Sequence, residues 1–285
     1  PGVPQQADWS ALAQHYGLFT PFDVTWLRAH PRWKRYDFAW NAVQQAGKWG
    51  ADLLYVWPLQ AALAGQLADR SRPVLLEMHG PAEGHLGPLL LRRFMRQPGR
   101  RRLLPITQAL ADMLAQQAGR EFTPGECVLA PNGVDLERFQ DLPGPQEARR
   151  LLALPEGLTA GYTGHLYAGR GMGLLEQLAQ HFPRLNFLWV GGREQDVSSW
   201  RVRLEVEKLY NITLTGFVDN SRLPQYQAAA EVLLMPYERS IAGSSGGNSA
   251  SYASPMKMFE YMACKRTILT SDLPVIGEVL NERNA

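Results

Sequence analysis

The chain has 285 residues, which is long enough for two ordinary domains, and 45% of them are hydrophobic against 20% charged. This composition is typical of a folded protein and argues against intrinsic disorder, while the formal net charge of +2 argues against a general nucleic-acid binder. The two cysteines, Cys127 and Cys264, lack metal-ligand spacing and favour a reducing compartment. Since we find no apolar run of about 18 residues and no signal peptide, we expect a cytoplasmic protein.

Short apolar runs alternate with helical patterns through the first half of the chain. The runs predict strands at residues 51–57, 73–80, 103–107 and 127–133, and the patterns predict helices near residues 36–49, 59–69, 86–96 and 108–118. Strands that alternate with helices indicate βαβ units and a parallel sheet. We therefore predict that residues 1–140 form a Rossmann-like domain.

Residues 141–157 carry Pro and Gly at both edges and are predicted to be an interdomain segment with one short helix. The alternation then resumes more clearly. The predicted strands are residues 159–164, 186–192, 212–216, 231–236 and 267–271, and the predicted helices are residues 171–182, 194–210, 221–229 and 255–264. We predict a second Rossmann-like domain over residues 158–285, so the fold class is α/β, with parallel sheets in two domains that face each other across a cleft. In such sheets ligands bind at the carboxyl ends of the strands.

A glycine-rich loop follows the first strand of the second half. It contains Gly169, Gly171 and Gly173, and a helix is predicted to begin near Met172. Glycines let backbone N–H groups approach a ligand, a helix N-terminus favours an anion, and Arg170 could bind a diphosphate there. A plain strand-to-helix turn with a solvated arginine explains the loop equally well. The spacing is neither GxGxxG nor that of a Walker loop.

Residues 239–264 combine a loop of small polar residues with a helix that Ser254 is expected to cap. Lys257 and Glu260 are three residues apart and so share one side of this helix. They form either an exposed ion pair, which contributes little, or a carboxylate that accepts ligand hydroxyls beside a lysine that faces phosphate. The apolar side of the helix is predicted to consist of Met256, Phe259, Met262 and Ala263.

Several of these stretches resemble one family in the same order along the chain. GHLYAGRGMGLL, ITLTGFVDNSRLPQYQAAAEVLLMPY and SPMKMFEYMACKRTILTSDLPVIGEVL resemble the nucleotide-sugar-binding domain of glycosyltransferase family 4, which has the GT-B fold, and LAPNGVDLERF resembles the stretch just ahead of it. The resemblance covers roughly residues 125–282, and weaker motifs upstream look like the acceptor-side domain. It implies a retaining glycosyltransferase that moves a sugar from a UDP-, GDP- or ADP-sugar to a hydroxyl acceptor, without a metal or cofactor, in bacterial cell-surface polysaccharide or glycolipid synthesis.

The resemblance also assigns roles to residues of the second half. It implies that Glu260 binds the ribose hydroxyls and that Arg170 holds the diphosphate, with His165 at a position where the family usually has arginine. Tyr252 stands where the family often has a first glutamate, so the loop backbone after it would contact the donor sugar. The donor-binding candidates are Gly164, His165, Arg170, Gly216, Phe217, Val218, Ala253, Ser254, Met256, Lys257 and Glu260.

In the first half, His79 follows a predicted strand at its carboxyl end. A histidine there is more often structural than catalytic, but the resemblance places a cleft histidine at this position, near the donor sugar and its phosphates. His85 is a candidate for the acceptor site. Six arginines between Arg92 and Arg102 form either a solvated basic face or a surface for a membrane or a phosphate-rich acceptor, which leaves peripheral contact with the inner face of the membrane open.

Two other functions fit the same residues. One is a phosphorylase or a nucleotide-sugar epimerase on the same fold, and the other is a nucleotide-sugar-binding module without transfer activity, which Tyr252 favours. The resemblance further implies a first strand with its glycine loop and a last helix that this sequence lacks. If the molecule itself lacks them, we expect no transfer activity, and if the sequence is part of a longer chain, we expect the parent enzyme to be intact.

Overall fold

The computed structural model describes residues 8–33, 35–241 and 248–284. They form two parallel sheets, one of three strands in the order β1-β2-β3 and one of five strands in the order β6-β5-β4-β7-β8. The predicted α/β class and the parallel strands are thereby confirmed.

The first sheet belongs to the N-terminal half of the chain. In chain order its elements are α1 (Trp9–Tyr16), α2 (Tyr36–Trp49), β1 (Leu54–Val56), α3 (Leu59–Ala68), β2 (Val74–Met78), α4 (Gly87–Arg96), β3 (Arg101–Pro105) and α5 (Gln108–Ala118). Strand β2 alternates strictly between buried Val74, Leu76 and Met78 and two half-buried residues. The buried side packs in one core with residues of α3, α4 and α5.

The prediction of a strand over residues 127–133 is wrong. Residues Cys127 and Leu103 form only an isolated bridge, although Val128 and Ala130 donate hydrogen bonds to carbonyls of β3. Pro131 follows directly and has no N–H with which to continue the ladder, so the chain runs beside β3 as irregular structure.

The second sheet belongs to the C-terminal half. Its elements are α6 (Pro145–Leu151), β4 (Thr159–Thr163), α7 (Met172–His181), β5 (Asn186–Val190), α8 (Glu194–Val206), β6 (Ile212–Gly216), α9 (Leu223–Ala228), β7 (Val232–Met235), α10 (Met256–Ala263), β8 (Thr267–Thr270) and α11 (Pro274–Gly277). Strand β4 is central and buried along its whole length. The order of the strands reverses at β4, because the chain moves outward to β6 on one side and then returns to place β7 on the other. In doubly wound sheets this reversal opens a crevice at the carboxyl ends of the two strands, where ligands bind.

The two halves are joined by specific hydrogen bonds. The carboxylate of Glu278 accepts from the backbone N–H groups of Gln108 (2.7 Å) and Ala109 (2.9 Å), the first two residues of α5. Thr107 Oγ1 donates to the carbonyl of Tyr252 (3.0 Å), and Asn132 N donates to Ser254 Oγ (3.2 Å). The segment ahead of α10 is therefore held by residues of the N-terminal half.

Candidate functional site

A cavity of about 350 Å³ lies in the crevice between β4 and β7. Its walls are the loop after β4, the segment after β7 and the start of α10. The lining residues are Gly164, His165, Arg170, Tyr237, Ile241, Ser249, Ala253, Ser254, Pro255, Met256 and Lys257. Most of the donor-binding residues expected from the sequence thus come together in one place, whereas Glu260, Gly216, Phe217 and Val218 do not line it.

The glycines of the loop after β4 serve packing within the protein. A Cβ on Gly171 would lie 1.7 Å from the carbonyl oxygen of Pro236, and one on Gly169 would lie 2.6 Å from that of Ser240. Both glycines also have positive φ angles. Their absent side chains therefore bring the loop against the segment after β7, which closes one wall of the cavity.

Arg170 projects from this loop into an aromatic setting. Its Nη2 donates to the hydroxyl of Tyr167 (2.6 Å), and its guanidinium lies over the rings of Tyr167 (4.9 Å) and Tyr237 (5.2 Å). Its Nε is buried without a hydrogen-bond partner among the described residues. The interpretation of Arg170 as a solvated arginine at a plain turn is therefore wrong.

Lys257 is the second cation of the cavity. Its Nζ lies 4.0 Å from the ring centre of Tyr162 and 5.2 Å from that of Tyr237, and it is buried with no hydrogen-bond partner in the described part of the chain. Burial, and then the charge of Arg170, hold the pKa of Lys257 well below its usual value, while Glu260 acts in the opposite direction. The alternative of an exposed Lys257–Glu260 ion pair is wrong.

His165 follows Gly164 at the cavity wall. Its carbonyl oxygen accepts a hydrogen bond from the Tyr162 hydroxyl (2.6 Å), and its ring stacks on that of Tyr167 at 5.2 Å. Burial, and then the charges of Arg170 and neighbouring cations, lower the pKa of His165. The imidazole is therefore mainly neutral at neutral pH, which leaves Arg170 and Lys257 as the other basic side chains of the cavity.

Helix α10 starts differently from the expectation. Pro255 is its N-cap and no side chain caps it, because the Ser254 hydroxyl accepts from Asn132 N instead. The buried residues of the helix are Met258 and Tyr261, and Phe259 and Ala263 pack against the same core. The predicted apolar side is therefore right for Phe259 and Ala263 and wrong for Met256 and Met262, which are 57% and 39% exposed. The hydroxyl of Tyr261 decides the rotation, since it accepts from the backbone N–H of Thr163 (2.9 Å) at the end of β4.

Glu260 lies one turn beyond Lys257 on α10, outside the cavity lining. Its Oε2 accepts a hydrogen bond from Nε2 of Gln227 (2.8 Å), a side chain of α9 with no exposed surface. Among the described residues, Oε1 has no such partner. Gln227 was not anticipated from the sequence, because a glutamine in a six-residue helix gives no signal of its own.

The donor-binding candidates Gly216, Phe217 and Val218 lie at the carboxyl end of β6, the edge strand. Gly216 ends that strand with φ of 76°, and its carbonyl oxygen accepts a hydrogen bond from Gly191 N at the end of β5 (2.8 Å). Phe217 is 61% exposed, and Val218 packs partly on the core near α9. This turn lies two strands away from β4, on the same edge of the sheet as the cavity.

His79 lies directly after β2, as expected. Its ring contacts the carboxylate of Glu77 and packs edge-on against Trp57, with ring centres 4.8 Å apart. A Cβ on the next residue, Gly80, would lie 3.4 Å from the ring of Tyr252, a side chain that is buried in the core of the N-terminal half. The His79 loop therefore adjoins the segment that lines the cavity. His85 is exposed in a turn before α4.

The basic segment from Arg92 to Arg102 divides into two groups. Arg92 Nε donates to the carbonyl of Gln117 (2.9 Å), and Arg101 donates to backbone carbonyls and lies 3.6 Å from Glu126. These two arginines tie α4 and β3 to their neighbours. The other members are exposed: Arg93, Arg96, Arg100 and Arg102.

The described residues offer neither a metal site nor a membrane-spanning helix. They contain no group of three or more His, Cys, Asp or Glu side chains arranged to hold a metal ion. They also contain no helix that combines the length and the apolar character needed to span a membrane.

Comparison with known proteins agrees with this geometry. Residues 158–285 match the family model for glycosyl transferases group 1. The chain is 27% identical over 167 residues to TuaH of Bacillus subtilis (strain 168), whose name proposes a glycosyltransferase role in teichuronic acid biosynthesis. That match covers 58% of this chain and 39% of TuaH.

Solved structures establish the fold as GT-B. The Anabaena protein Alr3699/HepE in complex with UDP and glucose superimposes with a TM-score of 0.61 at 18% identity, over 86% of this chain and 65% of HepE. A glycosyltransferase from Rickettsia africae ESF-5 superimposes with a TM-score of 0.67 at 12% identity, over 92% of this chain and 68% of that protein. The chain thus spans about two thirds of these structures and well under half of TuaH.

Proposed function

We propose that the protein transfers a sugar from a nucleoside diphosphate sugar to a hydroxyl group of a carbohydrate or lipid-linked acceptor, which the match of residues 158–285 to the family model for glycosyl transferases group 1 supports. One observation carries the proposal. The cavity at the strand reversal holds the buried Nζ of Lys257 and the guanidinium of Arg170, and neither side chain forms an ion pair with a carboxylate among the described residues. Two basic side chains without a carboxylate partner call for an anionic ligand, and a diphosphate supplies enough charge to pair with the guanidinium and to keep the lysine protonated.

Each side chain then has a part in binding the donor. Arg170 and Lys257 hold the diphosphate and stabilise it as it leaves, in place of a metal ion. Glu260 accepts the ribose hydroxyls, and the turn of Gly216, Phe217 and Val218 receives the base. UDP is the first nucleotide to test, because solved structures of HepE contain UDP or UDP-glucose.

The sugar would lie between the cavity and the His79 loop. The Tyr252 side chain is buried in the N-terminal core, so the backbone of Ala253, Ser254 and Met256 is left to contact the sugar. We propose transfer with retention. The acceptor oxygen bonds to the anomeric carbon on the face that the diphosphate leaves, the bond to the diphosphate oxygen breaks, and the acceptor proton passes to that oxygen. His79, held by Glu77, contacts the sugar and its phosphates.

The setting we propose is bacterial cell-surface polysaccharide or glycolipid synthesis on the cytoplasmic side, which the relationship to TuaH supports. Peripheral contact with the inner membrane face would use the exposed arginines Arg93, Arg96, Arg100 and Arg102.

The test is a thermal-shift panel with 1 mM UDP, GDP and ADP. A nucleotide present at about 100 times its Kd stabilises the native state by about 2.7 kcal/mol, which is a clear shift. We expect the shift to vanish in Arg170→Ala and to persist in the control Arg184→Ala, which changes an exposed arginine of the same domain. If no nucleotide stabilises the protein, the donor assignment is wrong.

A second assay separates transfer from binding. Release of nucleoside diphosphate from the matching sugar donor measures turnover, and NMR of the product gives the anomeric configuration. An inverted product would contradict retention, and binding without turnover would support a binding module. Free sugar phosphate or epimerised donor would point to a phosphorylase or an epimerase.

A further inference from the structure

Gln227 lies at the centre of a buried hydrogen-bond network behind Glu260. Its side chain has no exposed surface, and its Nε2 donates to Glu260 Oε2 (2.8 Å) and to Thr163 Oγ1 (3.3 Å). Its Oε1 accepts from the thiol of Cys264 (3.6 Å). A side chain of the short helix α9 thus contacts both the carboxylate on α10 and the end of β4.

The chemistry of the partners fixes the orientation of this amide. A carboxylate only accepts hydrogen bonds, so the atom that faces Glu260 must be the amide nitrogen. Burial raises the pKa of the Cys264 thiol to about 12, so the thiol keeps its proton and donates to Oε1. The amide is therefore satisfied at both ends and has a single good orientation.

A neutral amide suits this position better than a cation would. Lysine or arginine would neutralise Glu260, whereas the amide occupies one lone pair of Oε2 and leaves the charge in place. Oε1 then remains available for ligand hydroxyls. We infer that Gln227 is a positioning residue, which holds Glu260 in the orientation that binds the two ribose hydroxyls of the donor. This inference rests on the proposed function.

The experiment compares nucleotides that differ only in the ribose. Dissociation constants are measured for UDP and for its 2′-deoxy and 3′-deoxy forms, with GDP and ADP and their deoxy forms in parallel. The proteins are the wild type, Gln227→Met, Glu260→Ala and the double variant. The control is Gln225→Met, which changes an exposed glutamine of the same helix. Thermal midpoints without nucleotide check that each variant is folded.

We expect the wild type to bind the ribonucleotide about 10-fold or more tightly than its deoxy forms, as the loss of one charge-assisted hydrogen bond predicts. Gln227→Met should lose most of this ratio, Glu260→Ala should lose it as well, and the double variant should lose no more than Glu260→Ala. Gln225→Met should keep the ratio. A full ratio in folded Gln227→Met would overturn the inference.

Gln227→Glu is the second variant, since it keeps the shape of the side chain. It places a carboxylate against Glu260, so the ratio should fall at pH 8 and recover near pH 5.5, where the pair shares a proton and regains a donor. A purely structural defect would not recover with pH, and that result would also overturn the inference.

The remaining outcomes separate this inference from the proposed function. If the wild type binds UDP and 2′-deoxy and 3′-deoxy UDP equally, donor binding stands and the role of Gln227 is refuted. If no nucleotide binds at all, the proposed donor site fails, and the inference fails with it.

Discussion

The burial of Lys257 leads to a prediction about the stability of the protein that can be tested without a ligand. Lys257→Met replaces this side chain by an unbranched apolar one of similar length, which removes the cost of burying an unpaired cation between Tyr162 and Tyr237. We expect the variant to be more stable than the wild type at pH 7 and to bind UDP at least about 10-fold more weakly. Stability and binding would then change in opposite directions at one residue.

The size of the effect follows from the pH dependence of the free energy of unfolding. Because the pKa of Lys257 is lowered in the folded protein from 10.5, the unfolded chain binds this proton more readily, and the free energy of unfolding of the wild type rises with pH up to about 10.5. One proton contributes at most about 1.4 kcal/mol per pH unit. The variant lacks this contribution, so its advantage over the wild type should shrink by up to about 2.7 kcal/mol between pH 7 and pH 9.

Urea unfolding of both proteins at pH 7, 8 and 9 measures this difference. The other ionisable groups of the protein are common to both proteins, so their contributions largely cancel in the comparison. If the difference in unfolding free energy stays constant within about 0.5 kcal/mol over this range, Lys257 keeps its proton in both states and the lowered pKa of the buried lysine is refuted.

Two further predictions concern the frame of the site. Gly171→Ala should destabilise the protein by about 2 kcal/mol or more, because the φ of Gly171 is 76° and the new Cβ would meet the Pro236 carbonyl. Its control is Gly173→Ala, where a Cβ meets nothing within 4 Å, and this variant should be neutral or stabilising by up to about 1 kcal/mol. Equal thermal midpoints for the two variants would contradict this prediction. Glu278→Ala should cost about 1 kcal/mol in urea unfolding, because it removes two hydrogen bonds to the N-terminus of α5, and the exposed Glu282→Ala is its control; an unchanged midpoint for Glu278→Ala would show that this contact adds nothing to stability.

The periodic parts of the molecule were predictable from the sequence. Alternation of apolar runs with helical patterns located the strands of the second sheet, and the rule that ligands bind at the carboxyl ends of such strands pointed to the edge where Arg170 and Lys257 line one cavity. The strand at residues 127–133 was wrong because an apolar run does not reveal whether a proline will end its ladder.

The aromatic rings around Lys257 could not be predicted in the same way. Tyr162 lies on a buried strand and Tyr237 on an irregular segment 75 positions later in the numbering, so only the folded sheet brings both rings to Lys257. The rotation of α10 was missed for a related reason. Hydropathy favours Met256 over Tyr261 as a buried residue, but the Tyr261 hydroxyl finds a partner at Thr163 and the methionine stays exposed.

The position of the Tyr252 ring has a consequence for chimaeras that join the N-terminal half of this chain to the C-terminal half of another protein. The residue belongs by sequence to the C-terminal half, yet its ring is part of the core of the N-terminal half, beside Gly80, and its carbonyl accepts a hydrogen bond from Thr107. A chimaera cut before residue 158 would therefore separate a side chain from the pocket that accommodates it. A foreign C-terminal half will fit this N-terminal half only if it brings a tyrosine at that position, or if the pocket around Gly80 and Thr107 is exchanged along with it.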